Sequence, residues 1–253
     1  MDKVKAFRAL HVAGNPLVLF NIWDAGSAKA VADAGAKAIA TGSYAVAETN
    51  GFKDGEALPL DVALENLRRI ASVTDLPVTI DMEAGYGGTP DEVQRSVGLA
   101  REAGAAGINL EDRLPGTTGL IALADAARRV GAAAAAGVHV NARTDVYLGR
   151  KVEDYTPDLV DEVIERAKAY GDAGAGSLFV PFLGHHPTIA QICARSPLPV
   201  NVLWAPGRGT PPQLAKLGVA RISFGHGPWA ATMSWFAKQA SAVFAGGNPP
   251  YAD

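Results

Sequence analysis

Short apolar runs alternate along the chain with longer amphipathic stretches, and this alternation repeats eight times. The apolar runs are rich in strand-forming residues and predict strands at 17–21, 37–41, 77–82, 107–111, 138–143, 177–181, 199–204 and 220–224. The stretches between them have helical spacing and predict helices at 26–35, 60–73, 90–103, 119–136, 157–173, 187–195, 210–217 and 228–245. Start signals support two of these helices, because Thr89 and Thr156 each precede a proline and an acidic residue.

Eight successive strand-then-helix units of similar length are typical of one architecture. An α/β fold whose parallel strands close on themselves, the (β/α)8 TIM barrel, needs eight such units and about 250 residues. A doubly wound open sheet is the alternative. It seldom contains eight near-equal units, however, and no Gly-x-Gly-x-x-Gly turn follows the first predicted strand. The sequence therefore predicts a single (β/α)8 barrel domain over residues 1–253.

Composition narrows the class of protein further. Of the 253 residues, 48% are hydrophobic and 19% are charged, and the formal net charge is −3. These values exclude disorder and indicate no nucleic-acid partner. The single cysteine, Cys193, excludes a disulfide framework and a four-cysteine zinc site. The first residues lack the apolar core of a signal peptide, and the alanine-rich run is too short to span a bilayer. We therefore expect a soluble, cytoplasmic protein without a membrane partner.

The active site of such a barrel lies at the carboxyl ends of its strands, and the period of two along each strand predicts which side chains point inward. In the third, fourth and fifth strands, apolar residues at alternate positions would face the helices. The polar residues between them would face the barrel axis: Thr79, Asp81, Glu83, Asn109, Glu111, His139, Asn141, Arg143 and Asp145. A structural interior would hold branched apolar residues, because an unpaired buried charge is costly. The pattern therefore predicts the active site at these three strand ends.

Three of these residues are candidate metal ligands. Asp81, Glu83 and Glu111 offer hard oxygen ligands with no histidine or cysteine beside them, which favours Mg²⁺, or alternatively Mn²⁺, over zinc. Because Mg²⁺ keeps several waters, some of the three carboxylates would act through water. The alternative is an ion network in which the acids pair only with Arg143 and Arg113. Three acids against one or two arginines indicate a missing cation instead.

Four short motifs near the predicted strand ends resemble the isocitrate lyase/phosphoenolpyruvate mutase superfamily. They are Ala-Thr-Gly-Ser-Tyr at 40–44, Asp-Met-Glu-Ala-Gly-Tyr-Gly at 81–87, Asn-Leu-Glu-Asp-Arg at 109–113 and Asn-Ala-Arg-Thr-Asp at 141–145. The resemblance covers nearly the whole chain. It implies a Mg²⁺-dependent enzyme that breaks or forms a bond at C3 of a pyruvate-like fragment through an enolate-type intermediate. A small α-oxo acid is the implied substrate, and no covalent cofactor is needed.

The resemblance also implies roles on the metal side of the site. Asp81 would bind Mg²⁺ directly, and through it the substrate, while Glu83 and Glu111 would hold the waters of the metal. Glu111 is also counted among the catalytic residues. Arg143 would be catalytic, because it contacts the substrate oxygens and balances the charge that develops there. Asp54 matches an acid that the family places near the reacting group; the alternative is a solvated loop acid.

On the substrate side, the resemblance assigns one loop to the substrate carboxylate. The backbone amides of Gly42, Ser43 and Tyr44 would bind that group. Asn201, in the seventh predicted strand, would point inward and close the floor of the pocket. The alternative for Asn201 is a polar residue that neighbouring backbone groups satisfy.

The loop after the fourth strand departs from the pattern of several subfamilies. Lyases that act on isocitrate and methylisocitrate carry a catalytic cysteine there, and mutases and phosphonopyruvate hydrolases carry a lysine and an asparagine. Residues 111–119 contain none of these. The histidine that mutases place at the end of the sixth strand is also missing, since residues 179–182 read Phe-Val-Pro-Phe. We therefore predict a lyase, hydrolase or decarboxylase acting on a small α-oxo (di)carboxylate such as oxaloacetate.

Three alternatives stay open at this point. The first is an enzyme of the P–C bond, similar to phosphoenolpyruvate mutase or phosphonopyruvate hydrolase. The second is a non-catalytic barrel that binds α-oxo acids. The third is a sugar-phosphate enzyme, because residues 206–210 and 221–227 resemble a barrel phosphate site. No lysine ends a strand, however, so Schiff-base chemistry has no candidate.

The last predicted helix bears on assembly. Trp229, Met233 and Phe236 form one apolar stripe, and Trp235 lies at a different angle. An element packed between two subunits would be apolar on more than one face in this way. Members of the resembled family exchange this helix between barrels, which implies a homo-oligomer, a tetramer built from helix-swapped dimers. The alternative is a final helix that covers its own barrel.

Overall fold

Eight parallel strands form one sheet in the computed structural model, which describes residues 2–249. The strands are β1 (Leu17–Leu19), β2 (Ile39–Ala40), β3 (Val78–Asp81), β4 (Ala105–Glu111), β5 (His139–Arg143), β6 (Ser177–Val180), β7 (Val200–Leu203) and β8 (Arg221–Ser223). Their order is β1-β8-β7-β6-β5-β4-β3-β2. Each predicted strand is therefore present, most of them shorter than predicted, and the predicted α/β barrel is confirmed.

The sheet closes between β1 and β2 by few contacts. Ile22 and Thr41 form an isolated parallel bridge, and Ile22 N donates to Ala40 O at 2.8 Å. The side chain of Asn21 reinforces this seam, because its Nδ2 donates to Thr41 O at 2.8 Å. Its Oδ1 accepts from the backbone amides of Phe224 and Gly225 at 2.8 and 2.9 Å. One buried amide thus joins the ends of β1, β2 and β8.

Helices follow the strands as predicted. They are α2 (Ala25–Asp33), α4 (Leu60–Ser72), α5 (Pro90–Glu102), α6 (Leu123–Ala135), α7 (Pro157–Asp172), α8 (His186–Arg195), α9 (Pro211–Lys216) and α10 (Gly227–Phe244). Thr89 caps α5 through a reciprocal capping box with Glu92, as its start signal indicates. The first turn of α6 starts later than predicted, at Leu123.

The alternation did not predict two short helices, α1 (Lys3–Ala9) and α3 (Ser43–Thr49), nor a 3-10 turn at Val152–Asp154. Helix α1 covers the amino end of the barrel, where Phe7 is fully buried against Leu17, Leu19 and Ala106. Helix α3 lies inside the loop after β2. Both helices have only seven residues, which is too few for a clear helical period in sequence.

The outer faces of the strands and the inner faces of the helices form the apolar core. Val78, Ile80 and Ile108 pack with the stripe of α4, including Leu67 and Ile70. The barrel interior is polar instead, as the sequence predicts. Buried side chains there include Asn109, His139, Asn141, Ser177, Asn201, Arg221 and Ser223. The apolar shell therefore stabilises the barrel from outside, while its interior is left for hydrogen bonding.

Helix α10 begins and ends close to its prediction but lies largely in solvent. Pro228 is its only buried residue, whereas Trp235 is 50% exposed, Phe236 64% and Phe244 89%. Among residues 2–249, none of the helices combines the length and the hydropathy that a membrane-spanning segment needs.

Candidate active site

The carboxyl ends of three adjacent strands bring the predicted charged residues together. Asp81 pairs in register with Asn109 on β4, and Glu111 pairs with Arg143 on β5. Residues in register point to the same face of a sheet, so these side chains share the mouth of the barrel. The structure therefore brings these strand ends to one mouth, while the roles assigned to their side chains stay predictions.

Two carboxylates fix the guanidinium of Arg143. Its Nε and Nη2 donate to the two oxygens of Asp145 at 2.7 and 3.0 Å, and its Nη1 donates to Glu111 Oε1 at 2.5 Å. The ring of Phe182 lies 5.4 Å from the guanidinium carbon. Although burial lowers the pKa of Arg143, Glu111 and Asp145 raise it above its ordinary value. Arg143 is therefore a permanent, rigidly oriented cation at the mouth.

Asp81 and Glu83 form no ion pair among the described residues. Within residues 2–249, Asp81 accepts from two backbone amides, those of Ser43 and Glu83, each at 3.4 Å. Glu83 has a left-handed backbone (φ 49°), and its Oε2 accepts from the amide of Glu56 at 2.8 Å. Glu56 also has a left-handed backbone (φ 58°), and its side chain accepts a hydrogen bond from Tyr86 N at 2.9 Å. The strained backbone therefore aims a second acid beside Asp81.

The electrostatics of the mouth are unbalanced toward negative charge. Burial, followed by the charges of Asp81 and Asp54, raises the pKa of Glu83 to about 8. Burial also raises the pKa of Glu111 to about 9 against the opposing effect of Arg143. The pKa of Asp81 is raised for the same first reason. Carboxylates crowded in this way fit a divalent cation, because its charge would favour their ionised forms.

The described residues set a limit on how such a cation would be held. Nowhere in residues 2–249 do three histidine, cysteine, aspartate or glutamate side chains come together closely enough to bind one ion directly. Asp81, Glu83 and Glu111 are thus neighbours without being arranged as three joint ligands. Mg²⁺ usually takes only one or two protein carboxylates and keeps several waters, so a magnesium ion at these acids stays a prediction.

The loop of Gly42, Ser43 and Tyr44 reaches the same mouth. Ser43 N points at Asp81, which places the start of α3 next to the acids. The ring of Tyr44 turns outward, where it is 39% exposed and packs on His226 and Trp229 with centroids 5.1 and 5.7 Å apart. The backbone of this loop is therefore near the site, while the Tyr44 side chain belongs to an aromatic rim.

Other candidate residues lie in different surroundings. Asp54 is exposed, and its charge contributes to the raised pKa values of Asp81 and Glu83. Asn201 points inward, is fully buried and donates to Ser223 Oγ at 3.3 Å. Its contact is thus with the barrel interior. Cys193 lies on α8, away from the mouth, and burial raises the pKa of its thiol to about 12.

Sequence reasoning did not single out several residues that shape the site. Asp145 was predicted to face inward, but only the structure shows that its two carboxylate oxygens accept from Nε and Nη2 of Arg143. We call this two-oxygen contact the Asp145 fork. Arg129 of α6 braces the glycine-rich loop after β3, donating to Ala84 O at 2.6 Å and Gly87 O at 2.8 Å. A Cβ at Gly87 would lie 2.7 Å from the side chain of Glu92, so this loop needs glycine. No local signal marks Arg129, because its partners lie about 40 residues away.

Comparisons with known proteins agree on one family. Residues 7–244 match the phosphoenolpyruvate phosphomutase family. A crystal structure of a provisionally assigned phosphonomutase from Burkholderia cenocepacia J2315 is 46% identical, covers 97% of this chain and 98% of its own, and superposes with a TM-score of 0.92. An uncharacterized protein of Mycobacterium tuberculosis is 36% identical over 97% of this chain and 91% of its own length. An oxaloacetate decarboxylase of Rhodopseudomonas palustris is 33% identical over 82% and 73%.

A more distant structure shares the fold. The crystal structure of phosphonopyruvate hydrolase in complex with oxalate and Mg²⁺ is 24% identical, covers 98% of this chain and 89% of its own, and has a TM-score of 0.84. The same barrel thus holds Mg²⁺ and a small dicarboxylate in that protein.

Proposed function

Because the chain belongs to the phosphoenolpyruvate phosphomutase family of the isocitrate lyase/phosphoenolpyruvate mutase superfamily, we propose that it is a Mg²⁺-dependent lyase, hydrolase or decarboxylase. Its substrate class is a small α-oxo (di)carboxylate, with oxaloacetate as the first candidate. One observation carries this proposal. Four carboxylates meet the rigidly held Arg143 at the barrel mouth, those of Asp81, Glu83, Glu111 and Asp145. Two of them, Asp81 and Glu83, form no ion pair in the described chain.

Asp81 would hold the ion directly, and Glu83 and Glu111 would hold its waters. Mn²⁺ would fit the same oxygen ligands. Bound there, a divalent cation would neutralise the crowded acids and polarise the substrate oxygens. These assignments rest on the charge excess and on the resemblance of the motifs around the three acids.

Arg143 is suited to bind the reacting oxygens. A guanidinium has five N–H donors, and Glu111 and Asp145 accept three of them, which leaves two for a substrate. Because its orientation is fixed before the reaction, Arg143 would stabilise negative charge that develops on the substrate at little reorganisation cost. Glu111 would keep Arg143 in place through their hydrogen bond. The carboxylates of Glu111 and Asp54 would be the groups that accept or donate a proton during the reaction.

Backbone amides around Gly42, Ser43 and Tyr44 would receive the substrate carboxylate beside Arg143. Asn201 would support the floor through its hydrogen bond to Ser223. The loop after β4 is short, and Arg113 is tied to Asp145 at 3.5 Å and to Thr118 O at 2.5 Å. That loop would therefore exclude water through Arg113 and its threonines, without the cysteine of the methylisocitrate lyases.

A pyruvate-release screen tests the proposal. Purified protein is given oxaloacetate, its 3-methyl and 3-hydroxy relatives, and phosphonopyruvate, with Mg²⁺, with Mn²⁺ and with EDTA. We expect metal-dependent pyruvate release from at least one α-oxo dicarboxylate and none with EDTA. Release from phosphonopyruvate alone would favour the P–C bond enzymes instead. Binding of these acids with neither product nor Mg²⁺-dependent deuterium exchange at C3 would favour a non-catalytic barrel.

We also propose that two copies exchange α10, and that such dimers pair into a tetramer. An apolar groove of about 500 Å³ lies between β1 and α2, lined by residues that include Leu17, Val18, Phe20 and Val31. Val18 and Phe20 are 40% and 50% exposed. In a closed barrel the helix after β8 lies beside β1 and its helix, yet here α10 leaves that space open. The exposed apolar faces of α10 match the groove in chemistry, so α10 of a second copy is the proposed occupant.

Light scattering of matched variants tests this exchange. Phe236→Ser on α10 and Phe20→Ser in the groove should each lower the oligomeric mass, whereas Lys238→Ser, at an exposed polar position of the same helix, should not. Deletion of the residues after Gly227 should also abolish the larger species. A truncated protein that stays folded and keeps its original mass would overturn the exchange.

A cytoplasmic location stays a prediction from sequence.

A further inference from the structure

We propose that Asp112 is a positioning residue that sets the orientation of Arg143 through Asp145, and that helix α7 anchors it. This inference rests on the proposed function, in which Arg143 binds the reacting oxygens. Asp112 directly follows Glu111, the last residue of β4. Its side chain points away from the mouth, and the residue is only 3% exposed. It does not touch the site, so its influence must pass through neighbours.

Asp112 brackets the segment that carries Arg143. Its amide donates to the carbonyl of Arg143 at 3.1 Å, and its Oδ1 accepts from the amide of Asp145 at 3.0 Å. Two hydrogen bonds from one residue thus define the backbone on both sides of Thr144. Because Asp145 follows β5 as loop, the side chain of Asp112 replaces the sheet pairing that would otherwise hold this backbone.

The second oxygen of Asp112 is fixed from the outer layer. Oδ2 accepts from the hydroxyl of Tyr170 at 2.8 Å and from Arg166 Nη1 at 3.2 Å. Arg166 and Tyr170 lie four residues apart on α7, so they present both donors from one face of that helix. All three side chains are buried. The buried carboxylate is therefore held from both the helix layer and the sheet.

Asp145 transmits this position to Arg143. Its carboxylate is 1% exposed and grips Nε and Nη2 with one oxygen each, so the plane of the guanidinium follows the plane of the carboxylate. A displacement of the Asp145 backbone would rotate that fork and misalign the two remaining donors of Arg143. Small misplacements of substrate-positioning groups can cost about 100-fold in rate.

A double-mutant cycle separates this role from a general contribution to folding. Asp112→Asn and Tyr170→Phe are made in the wild-type chain and in Arg143→Lys, and kcat/KM on the best substrate of the screen is measured with Mg²⁺. We expect Asp112→Asn to lower kcat/KM about 10- to 100-fold in the wild-type background and less than about twofold in Arg143→Lys, because the group it positions is already gone. Tyr170→Phe should lower kcat/KM by a smaller factor in the wild-type background, and it too should have almost no effect in Arg143→Lys.

Glu162→Gln is the matched control. Glu162 is the other carboxylate that binds Arg166, at 3.2 Å, but it is 40% exposed and does not contact Asp112. We expect its kcat/KM to stay within about twofold of wild type. Equal losses from Asp112→Asn in both backgrounds would overturn the proposal, because they would show an effect independent of Arg143.

Crystal structures of Asp112→Asn and Tyr170→Phe give a readout that needs no substrate. We expect the two-oxygen contact between Asp145 and Arg143 to be lost or reduced to one bond. An unchanged fork in both variants would overturn the positioning role whatever the reaction. If the fork changes but the wild-type protein turns over no α-oxo acid, the proposed function fails while the positioning role stands. Should Asp112→Asn not fold, Tyr170→Phe carries the same comparison.

Discussion

The mouth and the interior of the barrel both bury polar groups, but their hydrogen bonding differs. In the interior, neutral groups satisfy one another: Asn141 donates to Asn109 at 2.9 Å, and Ser177 donates to Asn141 at 2.6 Å. At the mouth, carboxylates outnumber cations. Asp81 and Glu83 have backbone and hydroxyl partners there, but neither forms an ion pair with any other described residue. Neutral donors and acceptors can close a network by themselves, whereas an excess of like charges cannot. We therefore assign the interior to stability and keep the mouth as the ligand site proposed above.

Arg221 is the one described charge of the interior layer, and it connects the two regions. It is fully buried. Its Nη2 donates to Asn109 Oδ1 at 3.1 Å and its Nε donates to Ser223 Oγ at 3.3 Å, while the guanidinium carbon lies 6.0 Å from the centroid of the Phe7 ring. Burial lowers its pKa to about 9, and the charge of Asp81 acts in the opposite direction. The charge of Asp81 thus helps to offset the burial of this cation.

Removing Asp81 should give the largest effect and the sharpest contrast. Asp81→Ala is expected to abolish Mg²⁺ binding and to lower activity at least about 1,000-fold, on the order of 4 kcal/mol of transition-state stabilisation. The metal-free fold should keep its stability, because the change also removes a like charge from crowded acids. Calorimetric titration and thermal unfolding measure the two quantities, with Asp172→Ala on α7 as a control. Wild-type Mg²⁺ affinity in Asp81→Ala would contradict the assignment.

A change in the interior should do the reverse. Ser177→Ala removes the donor to Asn141 and the partner of His139 Nε2 at 2.9 Å, leaving buried groups unpaired. We expect a loss of about 1–3 kcal/mol in the free energy of unfolding, with Mg²⁺ affinity within twofold of wild type. Denaturant titration and calorimetry check both values. A lost metal site with unchanged stability would show that the two regions are not separable in this way.

The two regions should also respond oppositely to pH. His11 represents the interior, because its buried ring stacks on that of His139 with centroids 4.3 Å apart. Burial, and then the charge of Arg221, lowers the pKa of His11 from 6.5 to about 3, so the unfolded chain binds a proton that the folded chain does not. Stability should therefore fall as pH drops from about 6.5 toward 3, by up to about 1.4 kcal/mol per pH unit from this group. Glu83, raised from 4.5 to about 8, gives the opposite sign: without metal, stability falls as pH rises between those values.

Unfolding titrations in EDTA across pH 4 to 8 measure both slopes. In a plot of unfolding free energy against pH, His11→Phe should reduce the slope of the acid limb, where stability falls below about pH 6.5. Glu83→Gln should reduce the slope of the alkaline limb, where stability falls as pH rises toward 8. A His11→Phe variant that keeps the full acid limb would assign that limb to other groups, such as the neighbouring His139, whose pKa burial also lowers.

The smallest effect is expected outside both regions. Cys193→Ser should retain activity to within about threefold, because this thiol lies on α8 and burial keeps it protonated. Steady-state kinetics checks the prediction, with thermal unfolding as the control for folding. Loss of turnover in a folded Cys193→Ser protein would mean that thiol chemistry takes part after all.

The sequence by itself determined the barrel and the position of its mouth. Strand-then-helix alternation sets the topology, and the period of two then decides the facing of Asp81, Glu111 and Arg143. These features are local, since they depend on residues a few positions apart. The motifs at those same strand ends were sufficient to identify the superfamily.

Only the tertiary structure decided which partners these side chains meet. Tyr170 reaches Asp112 across 58 residues, and Glu56 reaches Glu83 across 27. The two-oxygen contact of Asp145 with Arg143, the hydrogen bond of Arg221 to Asn109 and the exposed position of α10 likewise depend on packing between distant segments. Periodicity specifies the face on which a side chain lies, but contacts between distant segments depend on how the whole chain packs, and no local pattern encodes them.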